Sequence, residues 1–228
     1  MDLDTKRVVI TGGGSGLGLA TAHAVRSAGG LPVVFDLEPG TEFPGHRVDV
    51  TDREAVETAV EAVAADLGGI DAVVAAAGID IPGDLEEVTA AQWEKVLAVN
   101  LLGTVHLARA ALPHLRLTHG RVVTVASTLA FKGAGGATAY CASKWGVRGF
   151  SQALAAETAG AVGVTNLVPG GMNTRFFDGR SERFMPQDDS KLNDPARVAD
   201  AIVFALGQPA GVEVRELFIA HELEDSWP

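Results

Sequence analysis

The chain has 228 residues, 47% of them hydrophobic, and a formal charge of −11. An acidic balance of that size excludes the positive footprint needed by nucleic acid or an anionic membrane surface. The single cysteine, Cys141, excludes an intrachain disulfide and a cysteine-based metal cluster.

The length suits one α/β domain over 1–228 with a sizeable core. No apolar run approaches the ~20 residues of a membrane span, and the first apolar run is too short for a signal-peptide core. The six His show no metal-ligand spacing. The expectation is a cytoplasmic protein with no metal.

Residues 6–11, Lys-Arg-Val-Val-Ile-Thr, are a short β-branched run and predict a buried parallel strand. Gly12-Gly13-Gly14-Ser15-Gly16-Leu17-Gly18 follows directly, ahead of a helix-forming stretch over 19–28. Strand, glycine-rich turn and helix in that order let backbone amides approach a pyrophosphate at a helix N-terminus. Such glycines also suit a flexible loop, but both flanking elements favour the phosphate cradle, with Gly12, Ser15, Gly16, Leu17 and Gly18 as its residues. A second strand over 31–35 ends beside Asp36, 18 residues after Gly18. A carboxylate about 20 residues past the glycines is placed to accept from the adenosine ribose hydroxyls. No Arg or Lys lies between Phe35 and Gly45 to neutralise a 2′-phosphate, so the expected cofactor is NAD.

A third strand over 46–48 runs into Asp49-Val50-Thr51-Asp52, where Thr51 or Asp52 caps an Ala-rich helix to about residue 67. A fourth strand over 70–76 closes with Ala77-Gly78. Thr89 caps a long helical region to about residue 117, and a fifth strand over 121–126 delivers Ser127. A helix over 137–161 and a sixth strand over 164–168 follow, the strand broken by Pro169-Gly170-Gly171. The stretch 170–194 lacks periodicity and reads as a lid or substrate loop. Its Arg175, Arg180 and Arg183 alternate with Asp178 and Glu182 and read as solvated charge. A helix over 195–206 and a strand over 213–220 complete the alternation. The pattern predicts a Rossmann-type doubly wound parallel sheet of about seven strands with helices on both faces. His106, His114 and His119 fall outside every motif and read as surface or helix-end residues.

On the helix over 137–161, Tyr140 and Lys144 are four residues apart and share a face. An ammonium beside a phenol favours the phenolate. Lowering a Tyr pKa from about 10 to about 7 needs about 4 kcal/mol, which two unit charges ~4 Å apart supply at an effective dielectric of ~20. The pair suits proton transfer at an alcohol oxygen, although Tyr and Lys at this spacing are more often a packed, solvated pair.

With these motifs in order, the chain resembles the short-chain dehydrogenase/reductase family along essentially its whole length. Thr11 to Gly18 looks like that family's cofactor motif and Asp49-Val50 like its adenine contact. Asn100, Ser127, Tyr140 and Lys144 look like its catalytic tetrad, with spacings of 27 and 13 residues from Asn100 to Ser127 to Tyr140. Pro169, Gly170, Met172 and Thr174 look like the segment facing the nicotinamide, with Thr174 reaching its carboxamide. The resemblance implies that Ser127 orients the substrate oxygen and that Tyr140 transfers the proton. Lys144 would lower the Tyr140 pKa and hold the nicotinamide ribose, and Asn100 would anchor a water leading to Lys144. One departure is Ala75-Ala76-Ala77-Gly78 in place of the family's Asn-Asn-Ala-Gly; Ala76, Ala77 and Gly78 would border the cofactor.

The implied activity is an NAD-dependent interconversion of a secondary alcohol and a carbonyl compound. Ser127, Leu129, Phe131, Tyr140, Met172, Phe176 and Phe177 are the candidate substrate-pocket residues. A non-catalytic NAD-sensing regulator on the same fold is the alternative, and it would be expected to lose Tyr140 or Lys144. A sugar-nucleotide epimerase is disfavoured because only 60 residues follow Val168. Ala142, Gly146, Gly149, Ala153 and Ala156 lie within about 80° of one another on the helix face opposite Tyr140. This small-residue face predicts a homo-oligomer, a tetramer or dimer.

Overall fold

The structure is a computed structural model that describes residues 3–224. Its strands are β1 (Arg7–Thr11), β2 (Leu31–Asp36), β3 (Gly45–Arg47), β4 (Ala72–Ala75), β5 (Arg121–Val125), β6 (Gly163–Pro169) and β7 (Glu216–Ile219). They form one seven-stranded parallel sheet in the order β3-β2-β1-β4-β5-β6-β7. The chain reverses its direction of progress between β1 and β4, which opens a crevice at their carboxyl ends.

The helices are α1 (Gly16–Ser27), α2 (Arg53–Leu67), α3 (Ala90–Leu97), α4 (Gly103–Thr118), α5 (Thr138–Glu157) and α6 (Pro195–Leu206). Successive strand residues point to opposite faces, and both faces are covered, so the strands are apolar without alternation. Val9, Val33, Phe35 and Val73 pack with residues of α2, α4 and α5. Val8, Ile10, Val34 and Val74 pack with α1 and α6. This is the doubly wound sheet predicted from the strand and helix alternation.

Local signals account for several boundaries. Asp52, not Thr51, caps α2 by accepting from the Glu54 and Ala55 amides. Thr89 and Gln92 form a reciprocal capping box at α3, a device worth about 1 kcal/mol. Helix α5 stops at Glu157 rather than near residue 161, because the Thr158 hydroxyl bonds both the Leu154 and Val162 carbonyls and closes the turn. Strand β7 is shorter than predicted. The Glu213 carboxylate, rather than a ladder carbonyl, takes the Val164 amide at 2.7 Å.

The helix predicted from Thr89 onward is continuous but not uniform. Between α3 and α4, residues Ala98–Leu102 form a π-helical turn around Asn100. By length and composition Ala90–Thr118 is apolar enough to cross a membrane, which the reading of the sequence did not anticipate. Leu107, Ala108, Ala111 and Leu115 of this segment are buried in the protein core.

Candidate active site

The glycine turn between β1 and α1 is shaped by contacts that exclude side chains. Gly12 and Gly16 have positive φ values of 69° and 51°, a region that glycine enters without strain. A Cβ on Gly18 would lie 2.1 Å from the Gly12 carbonyl oxygen, so the first turn of α1 presses directly on the loop. Ser15 caps α1 with no side-chain hydrogen bond, and the first turn carries no acidic residue. The positive end of the helix therefore faces outward. A cleft of about 390 Å³ opens there, lined by Ser15, Gly16 and Leu19 on one side and Asn173, Thr174 and Arg175 on the other. A cradle of amides too tight for side chains, set beside such a cleft, fits a dinucleotide.

Asp36 ends β2 at the rim of this turn. One of its carboxylate oxygens accepts from the Gly14 amide and the other from the Glu38 amide, each at 3.0 Å. The sequence reading missed a cation here. Arg47 is the β3 residue in register with Asp36 and is exposed. It lies past the stretch from Phe35 to Gly45, which holds no Arg or Lys. Asp49 holds the Thr51 amide and hydroxyl. The Val50 carbonyl bonds the imidazole of His106 at 2.9 Å, so His106 is not a free surface residue. His114 bonds Glu61, and His119 is the left-handed cap of α4.

Past β4, Gly12 packs against Ala77, and the Ala77 amide donates to the Thr11 hydroxyl at 3.3 Å. Asn100, 1% exposed, joins the loop after β4 to α5. Its Oδ1 accepts from the Ile79 amide at 2.8 Å. Its Nδ2 donates to the Ile79 carbonyl at 2.9 Å and to the Ser143 hydroxyl at 3.0 Å. A π turn shifts side chains relative to a regular helix and is frequent at functional sites. In this one, Asn100 faces the β4 end. A Cβ on Gly78 would lie 3.5 Å from Asn100 Oδ1 and 3.6 Å from Lys144 Nζ, so Gly78 separates those two groups.

Ser127 follows β5 and caps a short 3-10 turn, accepting from the Leu129 amide at 3.2 Å. Its hydroxyl is near enough to the Tyr140 phenol to pull that group's pKa down. Lys144 is 4% exposed and donates to the Val125 carbonyl at 2.8 Å. Its Nζ lies 5.5 Å from the centre of the Tyr140 ring.

The pKa shift expected for Tyr140 is reversed in this structure. Burial pushes the phenol up to about 12, and the nearby Ser127 hydroxyl only partly opposes it. Burial also pushes Lys144 down to about 8, against the pull of Asp80. The ammonium is committed to a backbone carbonyl, while desolvation penalises the phenolate directly.

The stretch after β6, expected to be a lid, folds as short 3-10 turns at Arg175–Phe177, Glu182–Phe184 and Asp189–Lys191. Thr174 caps the first turn by accepting from Phe176, and its side chain faces Gly16. The Gly171 amide donates to Glu224, which crowds Gly170 as well. Met172 bridges to Asn193. Phe176 lies 5.7 Å from Tyr140 and 5.6 Å from Phe177, which brings both lid aromatics to the site. Phe131 is engaged elsewhere. Its ring packs on Phe218 at 4.9 Å, under the Arg148 guanidinium at 3.8 Å.

The lid arginines are not all solvated. Arg183 pairs with Asp84 at 3.0 Å. Arg180 pairs with Asp80 at 3.2 Å, with side chains only 10% and 6% exposed. Asp80 is a site residue that the sequence reading missed, since a pair a hundred positions apart leaves no local signal.

Sheet order, glycine turn and the Ser127–Tyr140–Lys144 cluster agree with one further finding: a family model described as short chain dehydrogenase matches residues 6–183. The chain belongs to the short-chain dehydrogenase family. A meso-2,3-butanediol dehydrogenase of Serratia marcescens is 30% identical, over 92% of this chain and 90% of that protein. An uncharacterized oxidoreductase of Staphylococcus aureus is also 30% identical, over 95% of this chain and 97% of its own length.

Two solved structures of the same fold are 27% identical. An alcohol dehydrogenase from Thermococcus sibiricus complexed with 5-hydroxy-NADP superposes with a TM-score of 0.87 over 97% of this chain and 98% of that chain. A 3-ketoacyl-(acyl-carrier-protein) reductase from Brucella melitensis complexed with NADH superposes with a TM-score of 0.88 over 97% and 99%. This short-chain dehydrogenase is an oxidoreductase with the family's nicotinamide-binding fold.

Proposed function

We propose that this short-chain dehydrogenase interconverts an alcohol, secondary by preference, and its carbonyl counterpart with NAD(H), using Tyr140 as general acid and base. The observation that carries the reading is the placing of the Ser127 hydroxyl close enough to act on the Tyr140 phenol, with Lys144 one helical turn away. Two hydroxyls so placed can both bond one substrate oxygen, Ser127 orienting it and Tyr140 exchanging its proton. The nicotinamide, when bound, supplies the hydride chemistry. Lys144 keeps a positive charge beside the phenol and is placed to hold a ribose hydroxyl.

Asn100 acts through position. Its three amide bonds fix the Ile79 peptide and Ser143, and thereby the floor between Gly78 and Lys144. The butanediol dehydrogenase and alcohol dehydrogenase relatives support an alcohol substrate. Phe176 against Tyr140, backed by Phe177, gives the pocket an apolar wall. Asp36 supports NAD over NADP, because a 2′-phosphate would meet a carboxylate already fixed at the loop rim.

We further propose a single domain working in the cytoplasm as a homo-oligomer. Gly146 is not part of the docking face, since it packs on Leu101 of its own chain. Ala142, Gly149, Ala153 and Ala156 are exposed, with Trp145 49% and Leu102 48% exposed nearby. Purified protein assayed with NAD⁺ against secondary alcohols, read as nicotinamide absorbance, tests the function. Turnover is expected, and inactivity in both directions against alcohols and ketones would contradict it.

A further inference from the structure

The pair Asp80–Arg180 is built as an incomplete polar site beside Tyr140. Arg180 comes from the lid and Asp80 from the loop after β4. Their nearest atoms are Arg180 Nη2 and Asp80 Oδ2, 3.2 Å apart, and both side chains are at least nine-tenths buried. Among the described residues, Asp80 Oδ1 and Arg180 Nε have no hydrogen-bond partner, and Arg180 Nη2 has only its ion-pair contact with Asp80. Buried polar atoms are almost always bonded, and leaving one unbonded costs about 1–3 kcal/mol. The Arg180 guanidinium lies 4.7 Å above the Phe176 ring and 4.8 Å above Phe177, and Phe176 itself touches Tyr140. Both charges are close enough to act on the Tyr140 phenol. The pair therefore lies beside the Tyr140 phenol, next to where the reacting alcohol would sit.

We propose that Asp80 and Arg180 are specificity-determining residues that select neutral substrates carrying a second hydroxyl beside the reacting carbon, as in a vicinal diol or its α-hydroxy ketone. The inference rests on the site described under the proposed function. A hydroxyl both accepts and donates, so one oxygen can take a hydrogen from Arg180 and give one to Asp80. A carboxylate meets only half of this: it satisfies Arg180 but sets a second negative charge against Asp80 in a buried site. A plain apolar alcohol leaves Asp80 Oδ1 and Arg180 Nε unbonded. Sites built to bond a substrate hydroxyl discriminate strongly against analogues that lack it.

The test compares sec-butanol, vicinal butanediol and lactate, which share a methyl carbinol, as substrates of the parent and of the double variant Asp80→Asn/Arg180→Met. Removing both charges together avoids leaving one buried and unpaired. The parent should favour the diol over both others by about tenfold or more in kcat/KM. The double variant should bring the ratio of diol to sec-butanol kcat/KM down to about one. Equal use of diol and sec-butanol by the parent, a preference for lactate, or a uniform fall for all substrates in the variant would overturn the assignment.

Thermal midpoints with NAD⁺ and each compound separate this result from failure of the catalytic reading. A rise with the diol that the double variant loses supports the pair even in a protein without turnover. The absence of any diol-dependent rise in a protein without turnover overturns it.

Discussion

Lys144 is anchored to Val125, the last residue of the strand that also delivers Ser127: its Nζ donates to the Val125 carbonyl at 2.8 Å. The bond fixes the ammonium at the carboxyl end of β5, so helix α5 and the central sheet present their polar groups to one point. It also explains why the charge does less for Tyr140 than its spacing alone suggests, since burial outweighs it.

Tyr140 is the only tyrosine in the chain, so its ionisation can be read directly as phenolate absorbance. A phenol pushed up to about 12 should show no phenolate in the cofactor-free protein at pH 10. Alcohol oxidation needs the deprotonated base, so its kcat/KM should climb as pH rises. Carbonyl reduction needs the protonated acid and should vary little below that pKa. Saturating NAD⁺ adds a cation near the site and should move the absorbance midpoint down. A midpoint near 7 in the free protein would contradict the dominance of burial.

Much of this arrangement was legible in the chain because it depends on short spacings. The glycine turn, Asp36, Ser127 and the Tyr140–Lys144 pair each follow from a local pattern attached to a strand end or helix face. The π turn at Asn100 was not legible, because one extra residue in a helical turn hardly changes hydrophobic periodicity. The Asp80–Arg180 pair depends on how the lid folds over the β4 loop, and Arg47 on strand register. Both are long-range facts. The Tyr140 shift was misjudged for a related reason: charge separation can be guessed from spacing, but desolvation depends on what covers the ring.

The parent should prefer NAD over NADP. A hydrogen bond to a charged group is worth about 1.5–3 kcal/mol, so losing one from Asp36 to the ribose should favour NAD by about ten- to a hundredfold in kcat/KM. Leu37 is 55% exposed and can be replaced by Arg without disturbing the core. Asp36→Ala with Leu37→Arg should narrow or reverse the preference, and Arg47→Ala should widen it. A parent that uses both cofactors equally, or prefers NADP, would show that Asp36 does not sit at the ribose.

Gly18→Ala should weaken cofactor binding more than any change to the lid. The added Cβ would lie 2.1 Å from the Gly12 carbonyl oxygen, so either α1 or the turn must move. Fluorescence titration with NADH should show binding weakened by at least about tenfold, with the thermal midpoint lowered by several degrees. Unchanged affinity would place the dinucleotide elsewhere.

Light scattering at micromolar concentration should report a multiple of the 23.6 kDa chain mass. A charge placed in the exposed small-residue face, as in Ala153→Glu, should shift the population toward monomer, since an unpaired charge in a close helix contact is costly. A monomeric parent would rule out the interface, as would a variant that assembles unchanged.

Turnover by Tyr140→Phe tests the catalytic assignment most directly. The variant keeps the ring that packs against Phe176 and loses only the hydroxyl on which Ser127 acts. Folding and NADH binding should survive while kcat falls by about 10²–10⁴-fold, the usual contribution of a general acid or base. A kcat within about threefold of the parent, with cofactor bound normally, would contradict the role given to Tyr140.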